Sequence, residues 1–220
     1  MKCKGFLFDL DGTLVDSLPV VERAWSNWAK SRDLDPAVVL DFIHGKQAIT
    51  SLRHFMPGES EEAIQQQFRL LERTEAEDTD GISALPGAVA LLQRLDQLSI
   101  PWAIVTSGTV PVARARHAAG ELATPEIFIT AELVAKGKPN PDPYLLGAQQ
   151  LGLKPEECVV VEDAPAGVLS GLAAGCKVIA VNAPDDTQGL DKVDLVLKSL
   201  AMLQVEPVQG GEFLISVVDA

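Results

Sequence analysis

Six short apolar runs punctuate the chain, at residues 4–10, 102–106, 127–130, 158–162, 178–181 and 195–197. Each is too short for a helix and reads as a buried strand. Helix-period segments at 88–95, 144–151 and 166–174 separate several of them. Apolar strands alternating with helices predict an α/β fold, a Rossmann-like parallel sheet covered by helices on both faces. In such sheets ligands gather beyond the carboxyl ends of the strands.

One stretch breaks this rhythm. From about Leu18 to Ser83 the pattern is helical and no strand is evident. Residues 19–31 carry Trp25 and Trp28 three apart, and 61–77 place Ile64, Phe68 and Leu71 on one helical face. Ser60 precedes this second helix as a capping residue. The chain is therefore expected to divide into a core of residues 1–17 plus 82–220 and an all-helical insert of residues 18–81, with Asp16 and Ser17 as hinge or turn residues. Trp25, Trp28, Phe42, Phe55 and Phe68 are expected to form the insert's own core. In the tail, two extended segments around Gly210 and Gly211 predict a hairpin.

Composition narrows the classes. The chain has 220 residues, 47% of them hydrophobic, which is enough to bury a sizeable core. Its net charge of −13 argues against a nucleic-acid surface and against binding anionic lipid. The sequence contains no apolar run long enough for a membrane span and no leader pattern at its start, so a cytoplasmic protein is expected. Cys3, Cys158 and Cys176 lack metal-like spacing and read as free thiols of a reducing compartment. The glycines at 167, 171 and 175 are read as close packing of a helix on the sheet. Pro139, Pro141 and Pro143 are read as fixing a loop and starting a helix.

The polar residues that matter fall at strand ends. Asp9 and Asp11 follow the first strand, Thr106 and Ser107 end the second, Glu162 and Asp163 end the fourth, and Lys138 lies in a proline-rich loop. A parallel sheet brings these ends to one rim. Two like charges about 4 Å apart repel by about 4 kcal/mol at an effective dielectric near 20, so the carboxylates require a cation. Hard oxygen donors without a nearby His or Cys suit Mg²⁺. A metal, an ammonium group and two hydroxyls together make a site for a phosphoryl group. On an extended chain Asp9 and Asp11 point the same way, about 6–7 Å apart. One carboxylate can then attack phosphorus while the other reaches the leaving oxygen. Asp9 is the expected nucleophile and Asp11 the expected general acid and later base.

These residues carry a family resemblance. Phe8-Asp9-Leu10-Asp11-Gly12-Thr13-Leu14-Val15-Asp16-Ser17 resembles the first motif of the haloacid dehalogenase superfamily. Thr106-Ser107-Gly108 resembles its second motif, Lys138-Pro139 its third and Glu162-Asp163 its fourth, in order and over nearly the whole chain. The helical insert is similar to the cap of the β-phosphoglucomutase-like branch, and the chain as a whole most resembles bacterial sugar phosphatases. The resemblance implies that Asp9, Asp163 and the Asp11 carbonyl bind Mg²⁺, with Glu162 supporting it directly or through water; Mn²⁺ or Co²⁺ can substitute. It implies that Thr106 and the Ser107 backbone hold phosphate oxygens and that Lys138 neutralises Asp9 and the phosphate. Asp11 speaks against a true dehalogenase, which lacks this second acid.

In the insert, His44-Gly45-Lys46-Gln47 resembles a His-Gly-x-Arg segment whose arginine reaches the substrate, but Gln47 stands in the arginine's place. His44, Lys46 and Arg53 are the candidates for the missing contact. The expectation is a monomeric Mg²⁺-dependent phosphatase of small phosphorylated sugars or sugar alcohols, working through an aspartyl phosphate. A phosphomutase and a non-catalytic phosphometabolite-binding protein are the rivals. Release of inorganic phosphate separates the first from both.

Overall fold

In a computed structural model, which describes residues 1–208 and 211–218, the strands are β1 (Lys2–Cys3), β2 (Gly5–Phe8), β3 (Val15–Asp16), β4 (Ser83–Ala84), β5 (Trp102–Val105), β6 (Ile127–Ile129), β7 (Cys158–Glu162), β8 (Lys177–Val181), β9 (Leu195–Leu197), β10 (Leu203–Pro207) and β11 (Phe213–Val217). The helices are α1 (Leu18–Ser31), α2 (Pro36–Ile43), α3 (Ala48–Phe55), α4 (Glu61–Glu77), α5 (Ala88–Gln97), α6 (Val110–Ala119), α7 (Asp142–Gln150) and α8 (Pro165–Ala173).

Phe6, Leu7 and Phe8 are all fully buried because β2 is covered on both faces. Successive strand side chains point to opposite faces. Phe6 and Phe8 accordingly join a core with Leu92 and Leu95 of α5, whereas Leu7 joins another with Tyr144 of α7 and Val168 of α8. The sheet has six parallel strands in the order β6-β5-β2-β7-β8-β9, as the alternation predicts. β2 lies inside it, with Phe8 opposite Ile104 on one side and Val161 on the other. This register delivers Asp9, Thr106 and Glu162 to one rim.

Helix α8 approaches the sheet closely. A Cβ on Gly167 would lie 1.6 Å from Glu162 Oε1, and one on Gly171 would lie 3.0 Å from Val160. Gly175 departs from the expectation of close packing: nothing lies near it, and its φ of +79° places it in the left-handed turn that ends the helix.

The predicted tail hairpin forms, with Leu203 opposite Val217 and Pro207 opposite Phe213; Gly210 lies outside the described residues. β1 joins β11, so Cys3, Val205 and Ile215 complete the larger core. Asp16 lies in a short ribbon, Val15 and Asp16 pairing with Ala84 and Ser83, and its Oδ1 accepts from the Leu18 N–H at 3.2 Å, so it also turns the chain into α1. Ser17 follows it, buried at the start of α1.

The insert α1–α4 runs between the two strands of that ribbon. Trp25, Trp28, Leu52, Ile64 and Leu71 form its core, with Phe55 and Phe68 packed against it. Phe42 lies at the edge of this core, meeting Phe55 edge to face with centroids 5.2 Å apart and stacking on His54 with centroids 4.0 Å apart. Sequence periodicity resolves only α1 and α4, because α2 and α3 have eight residues each and show little more than two turns of pattern. Among the described residues no helix is long and apolar enough to cross a membrane. The three cysteines are unpaired and buried.

Candidate active site

Asp9 leaves the sheet at the end of β2, its backbone N–H donating to the Val161 carbonyl at 3.0 Å. The extended chain assumed for Asp9 and Asp11 does not continue. The strand ends at Phe8, Gly12 takes φ +82°, and Asp11 pairs in a single bridge with Val15. Asp9 therefore meets Lys138, while Asp11 meets Arg116 of α6.

Lys138 is the hub beneath the rim. Its Nζ donates to Asp9 Oδ1 at 2.5 Å, Glu162 Oε1 at 2.6 Å and the Val105 carbonyl at 2.9 Å. Glu162 is fully buried and saturated. Its Oε1 also accepts from the Tyr144 hydroxyl at 2.7 Å, and its Oε2 faces the backbone N–H groups of Asp163 and Ala164. Asp163 is tied by the Thr13 hydroxyl, which donates to Oδ1 at 3.1 Å. Glycine is required at position 12, where a Cβ would lie 2.1 Å from Asp163 Oδ2.

Burial works against the Lys138 ammonium, yet the Asp9 and Glu162 carboxylates hold its pKa above the ordinary lysine value. Burial also pushes Asp9 well above the carboxylate range, and Lys138 only partly offsets it. Asp163 is pushed up to about 8 by burial and then by Glu162. Asp9, Glu162 and Asp163 each offer an oxygen, all within 4.8 Å of one another. Crowded hard oxygen donors, two of them buried and Asp163 half-buried, fit a small divalent cation. Asp9 and Asp163 have oxygens to spare for it; the four hydrogen-bond contacts already on Glu162 suit a supporting role.

Above this junction lies a cavity of about 630 Å³, of ordinary size for a small-molecule site. Asp9, Asp11, Thr106, Ser107 and Asp163 line its floor, whereas Lys138 and Glu162 sit beneath it. The insert forms the opposite wall and contributes His44 and Lys46. Partial desolvation against the cavity wall lowers the pKa of both, although His44 remains exposed and Lys46 half-buried. Lys46 Nζ lies 3.8 Å from the centroid of the Phe42 ring and donates to the Phe42 carbonyl at 2.5 Å. Trp25 and Phe68 line the cavity from the insert's core, so they serve both packing and wall.

Other expectations need correction. Arg53 does not reach the cavity but pairs with Glu61 on the surface at 2.6 Å. Thr106 Oγ1 accepts from the Gly108 N–H at 3.0 Å, and the Ser107 hydroxyl donates to the Gly45 carbonyl of the insert at 2.9 Å. Gln47, in place of the expected arginine, turns to the core. Its Nε2 donates to the Ala131 carbonyl at 3.2 Å, and its side chain packs on Gly137.

Sequence reasoning missed Arg116, Glu75 and Tyr144. A signal existed for Glu75, which continues the apolar stripe Ile64–Phe68–Leu71 by one more turn. Arg116 follows Val112 by four residues on the buried side of a helix that the sequence did not disclose.

A sheet with this strand order, an acidic rim over a buried lysine and a helical insert after the first strand define a hydrolase fold. The haloacid dehalogenase-like hydrolase family matches residues 3–175, and the chain belongs to that family. Within it the chain is a phosphoric monoester hydrolase. It is 68% identical over 215 residues to hexitol phosphatase A of Escherichia coli (strain K12), covering 98% of this chain and 100% of the relative. It is 33% identical to glycerol-1-phosphate phosphohydrolase 1 of Saccharomyces cerevisiae over 220 residues, covering 93% of this chain and 86% of the relative. Among solved structures, β-phosphoglucomutase from Clostridium difficile superposes with a TM-score of 0.82 at 22% identity, covering 92% and 93% of the two chains. At that identity the likeness concerns the fold alone.

Proposed function

We propose that this enzyme is a Mg²⁺-dependent phosphatase of small sugar and sugar-alcohol phosphates, hexitol phosphates foremost, acting through an aspartyl phosphate. The observation that carries the chemistry is the Lys138–Asp9 contact beneath the cavity floor, which aims a carboxylate at the space where a phosphoryl group fits. The substrate class is supported by the 68% identical hexitol phosphatase. In this reading residues 18–81 are a cap over a core of 1–17 plus 82–220, and the three unpaired cysteines suit a cytoplasmic location.

Asp9 attacks phosphorus, and the bond from phosphorus to the leaving oxygen breaks as Asp11 donates its proton to that oxygen. Asp11, now ionised, takes a proton from water as the water oxygen attacks the aspartyl phosphate. Inorganic phosphate leaves, and Asp9 and the protonated Asp11 are regenerated. Thr106 and the Ser107 backbone hold phosphoryl oxygens, and Lys138 offsets their charge. Asp9, Asp163 and the Asp11 carbonyl would hold Mg²⁺, which supplies the positive charge that lets buried Asp9 ionise and steadies the transferring group. His44 and Lys46 contact the sugar from the cap. A closed cap excludes water during the first step.

Phosphate release from hexitol, hexose and glycerol phosphates, with Mg²⁺ and with EDTA, tests the reading. Metal-dependent release, fastest with a hexitol phosphate, is expected. Isomerised sugar phosphate without phosphate release would show a mutase instead.

A stability measurement tests the metal site separately. Without metal, the raised pKa of Asp163 keeps a proton on the folded chain that the unfolded chain loses at lower pH. Stability then falls as pH rises from about 4 to about 8. Saturating Mg²⁺ is expected to raise the melting temperature and to flatten this slope. Equal slopes with and without Mg²⁺ would remove Asp163 from the metal site.

A further inference from the structure

Arg116 is 4% exposed and lies on the core helix α6. Its Nη1 is 2.9 Å from Asp11 Oδ1, and its Nη2 donates to Glu75 Oε2. Glu75 is 6% exposed and belongs to α4 of the helical insert. A buried chain of carboxylate, guanidinium and carboxylate thus crosses from the insert to the rim of the sheet, ending on Asp11.

Taking a guanidinium out of water is costly unless it is well paired. Asp11 and Glu75 each take one terminal nitrogen of this one, and among the described residues its Nε has no hydrogen-bond partner. The second carboxylate comes only from the insert, so the chain is complete only while α4 rests on α6. Among the described residues Asp11, for its part, forms no other ion pair. It stands in a turn beyond the strand, so nothing in the backbone of the sheet fixes its side chain. Its Oδ1 is buried and faces Arg116 as an ion pair at 2.9 Å without a hydrogen bond of its own, and Asp11 also lines the cavity.

We propose that Arg116 is a positioning residue for Asp11, anchored by Glu75, so that the acid/base is held in its working orientation while the cap sits on the core. The inference rests on the reading of Asp11 as acid/base. It extends that reading to Arg116 and Glu75, which also line the cavity, and gives them a positioning role rather than a part in phosphoryl or metal binding. The cap then does more than exclude water: through Glu75 it completes the catalytic geometry of the core. Glu75 also balances the guanidinium, so Arg116 orients Asp11 without placing an uncompensated positive charge beside it.

The experiment uses the dependence on leaving group. Proton donation matters most when the leaving group is a basic alkoxide and little when it is a stable phenolate. kcat/KM, which reports the steps through transfer to Asp9, is measured for a hexitol phosphate and for p-nitrophenyl phosphate. The enzymes are the wild type, Asp11→Asn, Arg116→Met, Arg116→Lys and Glu75→Gln, each with its melting temperature recorded. Asp11→Asn is expected to lose about 10²–10⁴-fold on the alkyl ester and much less on the aryl ester. Arg116→Met is expected to show the same asymmetry, with Arg116→Lys restoring part of the loss and Glu75→Gln showing a smaller loss of the same kind.

Equal losses on both esters in the Arg116 and Glu75 variants, or no loss in either, would overturn the proposal while Asp11→Asn remains asymmetric. A symmetric Asp11→Asn overturns the acid/base assignment itself, and the positioning role with it. Should Arg116→Met fail to fold, Arg116→Lys and Glu75→Gln still decide, because both keep a hydrogen bond across the junction.

Discussion

Asp9→Asn is expected to lower kcat by roughly 10⁴–10⁶-fold while leaving a folded protein. The amide is isosteric with the carboxylate, and its oxygen can still accept from Lys138 Nζ, now 2.5 Å from Asp9 Oδ1. It cannot attack phosphorus. The substitution also removes one negative charge from a buried cluster in which burial, Glu162, Asp163 and Asp11 all disfavour ionised Asp9. The melting temperature of the metal-free variant should therefore equal or exceed that of the wild type. Acid quenching during turnover should trap labelled phosphate on the wild-type chain and none on the variant. Activity within tenfold of wild type would show that another group attacks phosphorus.

Lys138→Met is expected to damage stability as well as chemistry. The Lys138 side chain is fully buried and is the shared donor to Asp9, Glu162 and the Val105 carbonyl. Removing one member of a buried ion pair leaves an uncompensated charge and costs about 3–5 kcal/mol. Tyr144 and two backbone N–H groups continue to serve Glu162, so the loss should fall at the lower end of that range. Activity should drop by about 10²–10³-fold or more, because in the proposed mechanism a preorganised cation is lost from beside the nucleophile. A urea titration and a phosphate-release assay on the same preparation give both numbers. An unchanged urea midpoint would mean that Lys138 does not hold the carboxylates together.

The site divides between residues that a strand end announces and residues that only packing assembles. Asp9, Thr106, Glu162 and Asp163 stand where buried apolar runs stop, and a parallel sheet has to bring such ends to one rim. Lys138 was legible through its proline-rich loop, although its place beneath the floor, rather than on it, was not. Arg116 and Glu75 lie inside helices, where a charged residue ordinarily faces solvent. Their burial depends on α4 meeting α6, a contact between segments about forty residues apart in the chain.

The insert shows the same division. His44 and Lys46 do face the cavity, but Gln47 and Ser107 knit insert to core through carbonyl groups of Ala131 and Gly45, which any sequence would offer. Side-chain type says nothing about such partners.

By itself the sequence determined the alternating sheet and helices, the position of the helical insert and the acidic rim, because hydrophobic period and strand-end chemistry are local properties. Tertiary structure alone decided that Asp9 turns to Lys138 and Asp11 to Arg116. Each carboxylate takes the cation that packing places beside it, and that choice depends on helices and loops distant in sequence.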